Sequence, residues 1–341
     1  MDLFGISPPD DEQEQPANVR KLPRIKGELT RLQGKFLEDA VALYGETALE
    51  RGSLGYLHSL LANCYLPRAK TTERRYVHQN GAYSILISAG ELVDPVSGDW
   101  VEQPLPFGGK PRALMAYLNT YAIRNNTREV PLGHSLSDFV RMMSGEVSGG
   151  ERGTLTLWKT QMMALAACSM RIGGSYGEGT GMPNQRAKTR KVDIISELDL
   201  WLSPEPNQYS LFPTDIKLST EYFESLREHA MPVDLKALKL LQGDPLAFDV
   251  YAWLVYRLPR IRQQSGVKLP WKLIYDQFGG NYKEIKTFKR RFLEALKKVK
   301  VLYPNAQLDI GAEALTLKST PSLVPHTVSV RKLADLREKV K

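Results

Sequence analysis

WKLIYDQFGGNYKEIKTFKRRFLEALKKVKVLYPNAQLDIGAEALTL, residues 271–317, reads as a helix, a tight turn, a long basic helix and a hairpin. Gly279 and Gly280 stop the first helix, and Pro304 stops the second. Ile285, Phe288, Phe292, Leu296 and Val299 recur every three or four residues, which predicts one apolar stripe along the second helix. The opposite face carries Lys283, Lys286, Arg290 and Lys297 with Thr287 among them, and Lys289 joins them as a candidate contact. AQLDI and ALTLKS alternate like two strands around Gly311. A helix-turn-helix followed by a β-wing presents such a face to a DNA major groove. A solvated Lys-rich surface helix is the plainer reading; turn, stripe and hairpin together weigh against it.

Composition bounds the rest. A chain of 341 residues predicts two domains, and 42% hydrophobic residues are enough for ordinary cores. The formal charge is +8, but residues 1–16 hold five acidic and no basic side chains, so the remainder carries +13. Residues 283–300 alone contribute eight basic and two acidic side chains. Positive charge gathered on particular elements points to a polyanionic partner. No run approaches the ~18 apolar residues of a membrane span, and an acidic, Pro-rich start is unlike a signal peptide. Cys64 and Cys168 lack CxxC spacing, so buried thiols in the cytoplasm are expected.

Along the chain, residues 1–27 read as a disordered acidic tail, 28–75 as a helical arm and 321–341 as a C-terminal tail. Two units of like element order lie between them, 76–203 and 204–320, with SPEPNQ (203–208) as the linker. In the first, Pro111 suits the opening turn of a helix and Ser135 caps LSDFVRMM with Asp138 three residues on. Thr154–Met170 is the longer helix of that unit, with Thr156, Lys159, Thr160 and Met163 on its exposed face. A hairpin follows whose wing carries Arg186, Lys188, Arg190 and Lys191, suited to phosphates or a minor groove. PLAFDVYAWLVYRLPRI (245–261) is apolar nearly all round and reads as the central core helix of the second unit. The fold class expected is α+β, mainly α, with two tandem winged-helix domains. A fragment from Leu211 to Ser319 is expected to fold alone.

Catalytic readings fail on spacing. GGSYGEGTG (173–181) lacks the Lys-Ser or Lys-Thr of a phosphate loop and follows a helix. His58, His78, His134, His229 and His326 form no HxH, HExxH or HxxR, so they read as local hydrogen-bonding residues. Asp193, Glu197 and Asp199 share a strand face without further ligands nearby. Trp158, Trp201, Trp253 and Trp271 sit among apolar neighbours and read as core. No enzyme activity, metal or cofactor is expected.

Five stretches resemble the RepA-type plasmid replication initiators: LPFGGKPRALMAYLNTYAIRNNTREVPLGHSLSDFVR (105–141), GGERGTLTLWKTQ (149–161), DLWLSPEPNQ (199–208), PLAFDVYAWLVYRL (245–258) and FKRRFLEALKKVKVLYP (288–304). The resemblance spans about residues 28–320. It implies binding of double-stranded DNA at repeated origin sites and recruitment of host replication proteins, an initiator and a helicase. It also implies two winged-helix domains, one of which makes homodimer contacts. Reading residues would fall around Lys283–Lys297 and, in the first unit, on Thr154–Met170. The chain departs from the family there, since that helix has one cation where relatives carry several arginines; a backbone or dimer contact then becomes the alternative. A transcriptional regulator of the same fold is the rival reading, distinguished by a palindromic operator in place of direct repeats.

Overall fold

The computed structural model describes residues 31–43, 48, 50–81, 83–176, 186–202 and 211–322. The tail 1–27, the loop 177–185, the expected linker 203–208 and residues 323–341 lie outside them. The chain runs through α1 (Arg31–Val41), β1 (Leu54–His58) and a 3-10 turn (Ser59–Ala62). Next come β2 (Arg75–Asn80), β3 (Tyr83–Ser88), β4 (Glu91–Val93) and β5 (Trp100–Glu102). Then follow α2 (Gly109–Asn125), β6 (Glu129–Pro131), α3 (Leu136–Ser144), α4 (Thr154–Ala167), β7 (Ser169–Tyr176), β8 (Arg186–Lys191), β9 (Ile195–Leu202) and β10 (Leu211–Leu218). α5 (Thr220–His229), β11 (Ala230–Asp234) and α6 (Leu235–Leu241) lead to α7 (Pro245–Arg257). β12 (Val267–Pro270), α8 (Trp271–Phe278), α9 (Ile285–Leu302), β13 (Leu308–Ile310) and β14 (Ala314–Leu317) complete an α+β architecture.

Local chemistry sets the helix ends. Ser135 accepts the Asp138 N–H at 3.1 Å and opens α3, as the sequence spacing implies. Asp244 does the same for α7 through the Ala247 N–H, with Pro245 in the first turn where no N–H is needed. Asn126 closes α2 in the left-handed conformation, φ 51°. α7 is buried from Leu246 to Val255, consistent with its nearly uniform apolar surface.

One order of elements occurs twice. α2, β6, α3, α4, β9 and β10 are helix, strand, helix, helix and hairpin; α7, β12, α8, α9, β13 and β14 repeat it. Both three-stranded sheets place the last strand centrally, in the orders β6-β10-β9 and β12-β14-β13. This moves two expected features. β10, expected to open the second unit, closes the sheet of the first, with Leu211 opposite Leu202 and Ile216 opposite Val130. SPEPNQ, expected as the linker, lies outside the described residues; the strands on either side of it, β9 and β10, pair antiparallel. Residues 186–191, expected in the loop of the first wing between RIGGSY and VDIISELDLWLS, form β8 instead and pair with β7 in another sheet, of order β2-β3-β7-β8.

The arm is part of the core. β1 is buried throughout and pairs antiparallel with β11, which ties residues 54–58 to 230–234. Asp234, 3% exposed, accepts from Arg51 at 2.5 Å, from Ser53 at 2.8 Å and from the Lys236 N–H that starts α6. A second buried carboxylate joins both repeats. Asp249 on α7 takes two bonds from Arg112 on α2, at 2.7 and 3.0 Å, and one from Arg68 at 2.8 Å. Arg112 also donates to the carbonyls of Leu66, Pro67 and Gly108, and Arg68 to that of Phe278. α2 starts so close to α6 that a Cβ at Gly109 would lie 1.7 Å from the Gln242 carbonyl oxygen. Only glycine fits there.

Candidate nucleic-acid interface

α9 is fixed by an aromatic cluster beneath it. Phe288 and Phe292 are fully buried, and Trp271, Tyr275, Phe278 and Tyr282 reach them edge-on with ring centroids 5.4–6.0 Å apart. With that face buried, about 100° per residue turns Lys286, Arg290 and Lys297 outward. These three, with Lys283 and Thr287, are exposed, and none of the four cations has an ion pair among the described residues. Three free cations on the helix face and Lys283 in the turn before it can neutralise phosphates and reach base edges.

Three neighbours differ from expectation. Lys289 does not join the ridge: its Nζ donates to the Ala312 carbonyl at 2.6 Å and sits 4.5 Å from the Trp271 ring centre. It latches the β13–β14 turn to α9, together with Trp271 Nε1, which donates to the Gly311 carbonyl at 3.1 Å. Ile285, expected in the buried stripe, is 41% exposed because it is the first helical residue and overhangs the cluster. Two other cations of α9 are paired, Lys298 with Asp244 at 2.6 Å and Arg291 with Glu294 at 2.9 Å.

α4 is a different surface. Trp158, Met162 and Leu165 are buried, as the stripe implies, but so is Met163, expected outside. The hydroxyls of Thr156 and Thr160 are turned inward on backbone, to the carbonyls of Gly150 (2.8 Å) and Thr156 (2.9 Å). Lys159 is half-buried; burial pushes its ammonium pKa down while Asp94 opposes the shift. The outward face of α4 therefore offers one partly desolvated cation.

Successive residues of a strand face opposite sides, which sets Lys191 apart from Arg190. Arg190 and Lys191 are both exposed but point apart, and Lys191 pairs with Asp193 at 2.8 Å. The side chains of Arg186 and Lys188 lie outside the described residues. The sheet register shows a grouping the sequence does not: Arg171 stands directly opposite Lys191, and exposed Arg75 lies on the same face two strands away. Only the pairing of distant strands brings these three together, so no local signal exists.

No group of three or more His, Cys, Asp and Glu side chains able to hold a metal occurs among the described residues. Cys64 and Cys168 are buried free thiols, pushed up to about 12 by burial. His58 is buried against Tyr222, its Nδ1 accepting the Leu60 N–H, and burial lowers its pKa to about 4. Trp253 and Trp271 are core as expected; the Trp201 side chain and His326 lie outside the described residues. No helix among the described residues is long and apolar enough to cross a membrane.

Comparison with known proteins gives one family. The sequence profile of plasmid encoded RepA protein matches residues 105–277, about half of the chain. No curated protein matches. Among solved structures, domains 2 and 3 of RctB superpose with a TM-score of 0.45 at 11% identity, covering 76% of this chain and 96% of that one. A selenomethionine structure of the same two domains gives 0.44 at 10% identity, covering 73% and 84%.

Proposed function

The chain belongs to the plasmid-encoded RepA family of replication initiators, and on that premise we propose that it binds repeated duplex sites at a plasmid origin through two winged-helix modules. The repeated element order with a shared strand order supports the two modules. α9 is the reading helix of the second. The observation that carries this is its row of three exposed cations without an ion pair among the described residues, with Lys283 just before it, set opposite a fully buried aromatic face and ahead of a latched hairpin. α4 occupies the same topological place in the first module and adds a weaker contact, through Lys159. The cationic face of Arg75, Arg171 and Lys191 offers further phosphate contacts. Strand opening draws on several bound copies and on recruited host initiator and helicase; the protein itself acts by binding and not by catalysis, in the bacterial cytoplasm.

The test is affinity against salt on origin DNA. Replacing Lys283, Lys286, Arg290 and Lys297 by Ala should flatten the slope of log K against log salt by roughly 0.9 for each phosphate no longer neutralised. Footprints of the intact protein should cover adjoining segments, one for each module. An unchanged slope and an unchanged footprint would remove α9 from the interface.

A further inference from the structure

The β4–β5 hairpin is unlike the rest of this basic chain. Residues 91–102, ELVDPVSGDWVE, contain four carboxylates and no cation. They also hold Val93, Val96, Trp100 and Val101, exposed by 42, 71, 69 and 43%. Single exposed apolar residues are ordinary, but three valines and a tryptophan gathered on one short hairpin are not. The hairpin is seated firmly. A Cβ at Gly90 would lie 2.0 Å from the Ala167 carbonyl oxygen, so its base is pressed against the end of α4. Arg74 holds Glu102 at 3.1 Å, and Asp94 closes the turn by accepting from the N–H groups of Val96 and Ser97.

Its register exposes an unsatisfied charge. Glu91 stands directly opposite Glu102, and Val93 opposite Trp100, so these four side chains share one face. Like charges in that position destabilise a strand pair unless a cation intervenes. Of the hairpin carboxylates Arg74 pairs with Glu102; Glu91 and Asp99 have no ion pair among the described residues. Neither strand pairs along its outer edge with a further strand among the described residues. Phosphate is repelled by such a face. What fits is a segment that brings cations to Glu91 and Glu102 and aliphatic groups to Trp100.

The chain carries such a segment. Residues 323–341 include Arg331, Lys332, Arg337, Lys339 and Lys341 against Asp335 and Glu338, a net +3. Val330, Leu333, Leu336 and Val340 recur among these charges at spacings of three and four. Beyond Ser322 the 19 residues can span about 60 Å when extended, enough to reach across a domain or into a neighbouring copy. We propose that residues 323–341 dock on the Glu91–Val93–Trp100–Glu102 face of the β4–β5 hairpin. The contact places basic side chains between the two glutamates and aliphatic ones on the indole. It also neutralises the acidic group beside α4, where Asp94 already acts on Lys159.

The experiment is site-specific photo-cross-linking in the full-length protein. Val96→p-benzoylphenylalanine puts the probe at the hairpin turn and leaves Trp100 and both glutamates in place. Irradiation followed by peptide mapping should give adducts within residues 323–341, in the same chain or a second copy. The paired change Glu91→Lys and Glu102→Lys should cut that yield about tenfold or more, from two reversed ion pairs. Trp100→Ala should cut it without any charge change, and raised salt should do so without any mutation. Adducts to the hairpin of a second copy, adducts to other proteins only, or no adduct each overturn the proposal. So does an adduct that survives both charge reversal and salt.

Discussion

Replacing Arg112 by Met should destabilise the whole molecule, not one half of it. Arg112 is 2% exposed and donates five hydrogen bonds, two to Asp249 and one each to the carbonyls of Leu66, Pro67 and Gly108. Removing one member of a buried ion pair costs about 3–5 kcal/mol, because the other charge is left behind. Arg68 still holds Asp249 at 2.8 Å, which puts the charge contribution at the low end of that range. Three carbonyls deprived of a donor add roughly 1 kcal/mol each, less what water recovers. The loss should be about 4–5 kcal/mol, which lowers the urea midpoint by about 1.5 M at an m-value near 3 kcal/mol/M. One unfolding transition is expected, since Arg112 sits in the first repeat and Asp249 in the second. Asp249→Asn should be severe alone, and the double variant should lose less than the sum by about 1 kcal/mol or more. A single-variant loss below about 1 kcal/mol, or strict additivity, would refute the idea of a shared clamp.

Arg290→Ala should weaken binding to the origin repeat by about 1–3 kcal/mol and leave random-sequence DNA nearly unchanged; equal losses on both would make Arg290 a phosphate contact. Lys289→Met should lower thermal stability and loosen the β13–β14 turn, seen as faster amide exchange at Ala312 and Glu313, with little change in sequence preference. His58, with a folded pKa of about 4 against about 6.5 unfolded, binds its proton more weakly when folded. Its stabilisation is therefore complete above pH 6.5 and is lost as pH falls toward 4, by about 2 kcal/mol at pH 5; His58→Gln should flatten that slope, and an equally steep slope in the variant would assign it to other groups. The fragment Leu211–Ser319 should fail to fold alone, because it strips β10 of β6 and β9, β11 of β1, and both buried aspartates of their arginines; cooperative unfolding of the isolated fragment would contradict this.

What the sequence disclosed follows from the range of each interaction. The stripe of α9, the Ser135 cap and the buried α7 are local, set by neighbours within four residues, and they read directly. Strand pairing is not local. Nothing in the local sequence makes Leu202 stand opposite Leu211; that follows only from the pairing of β9 with β10. Lys289 carries the same charge as Lys286, and its partner lies 23 residues away in a turn. Arg75, Arg171 and Lys191 converge through three strand pairings. The ridge of the site was thus visible in periodicity, while its flanks depend on contacts between distant segments.

The pairing of β1 with β11 sets a clock for synthesis. Leu54–His58 meets Ala230–Asp234, so roughly 170 residues must emerge after the first strand before its partner exists. At about 5–20 residues per second, that interval is about 10–35 s on the ribosome. Throughout it LGYLHSLLANCYL, residues 54–66, whose Leu57, Ala62 and Cys64 end fully buried, has no strand to pair with. An unpaired apolar strand is a template for aggregation. Translation that stalls before Asp234 would release a sticky chain, and the dose of active protein in the cell would then depend on elongation speed and chaperone supply as much as on gene copy number.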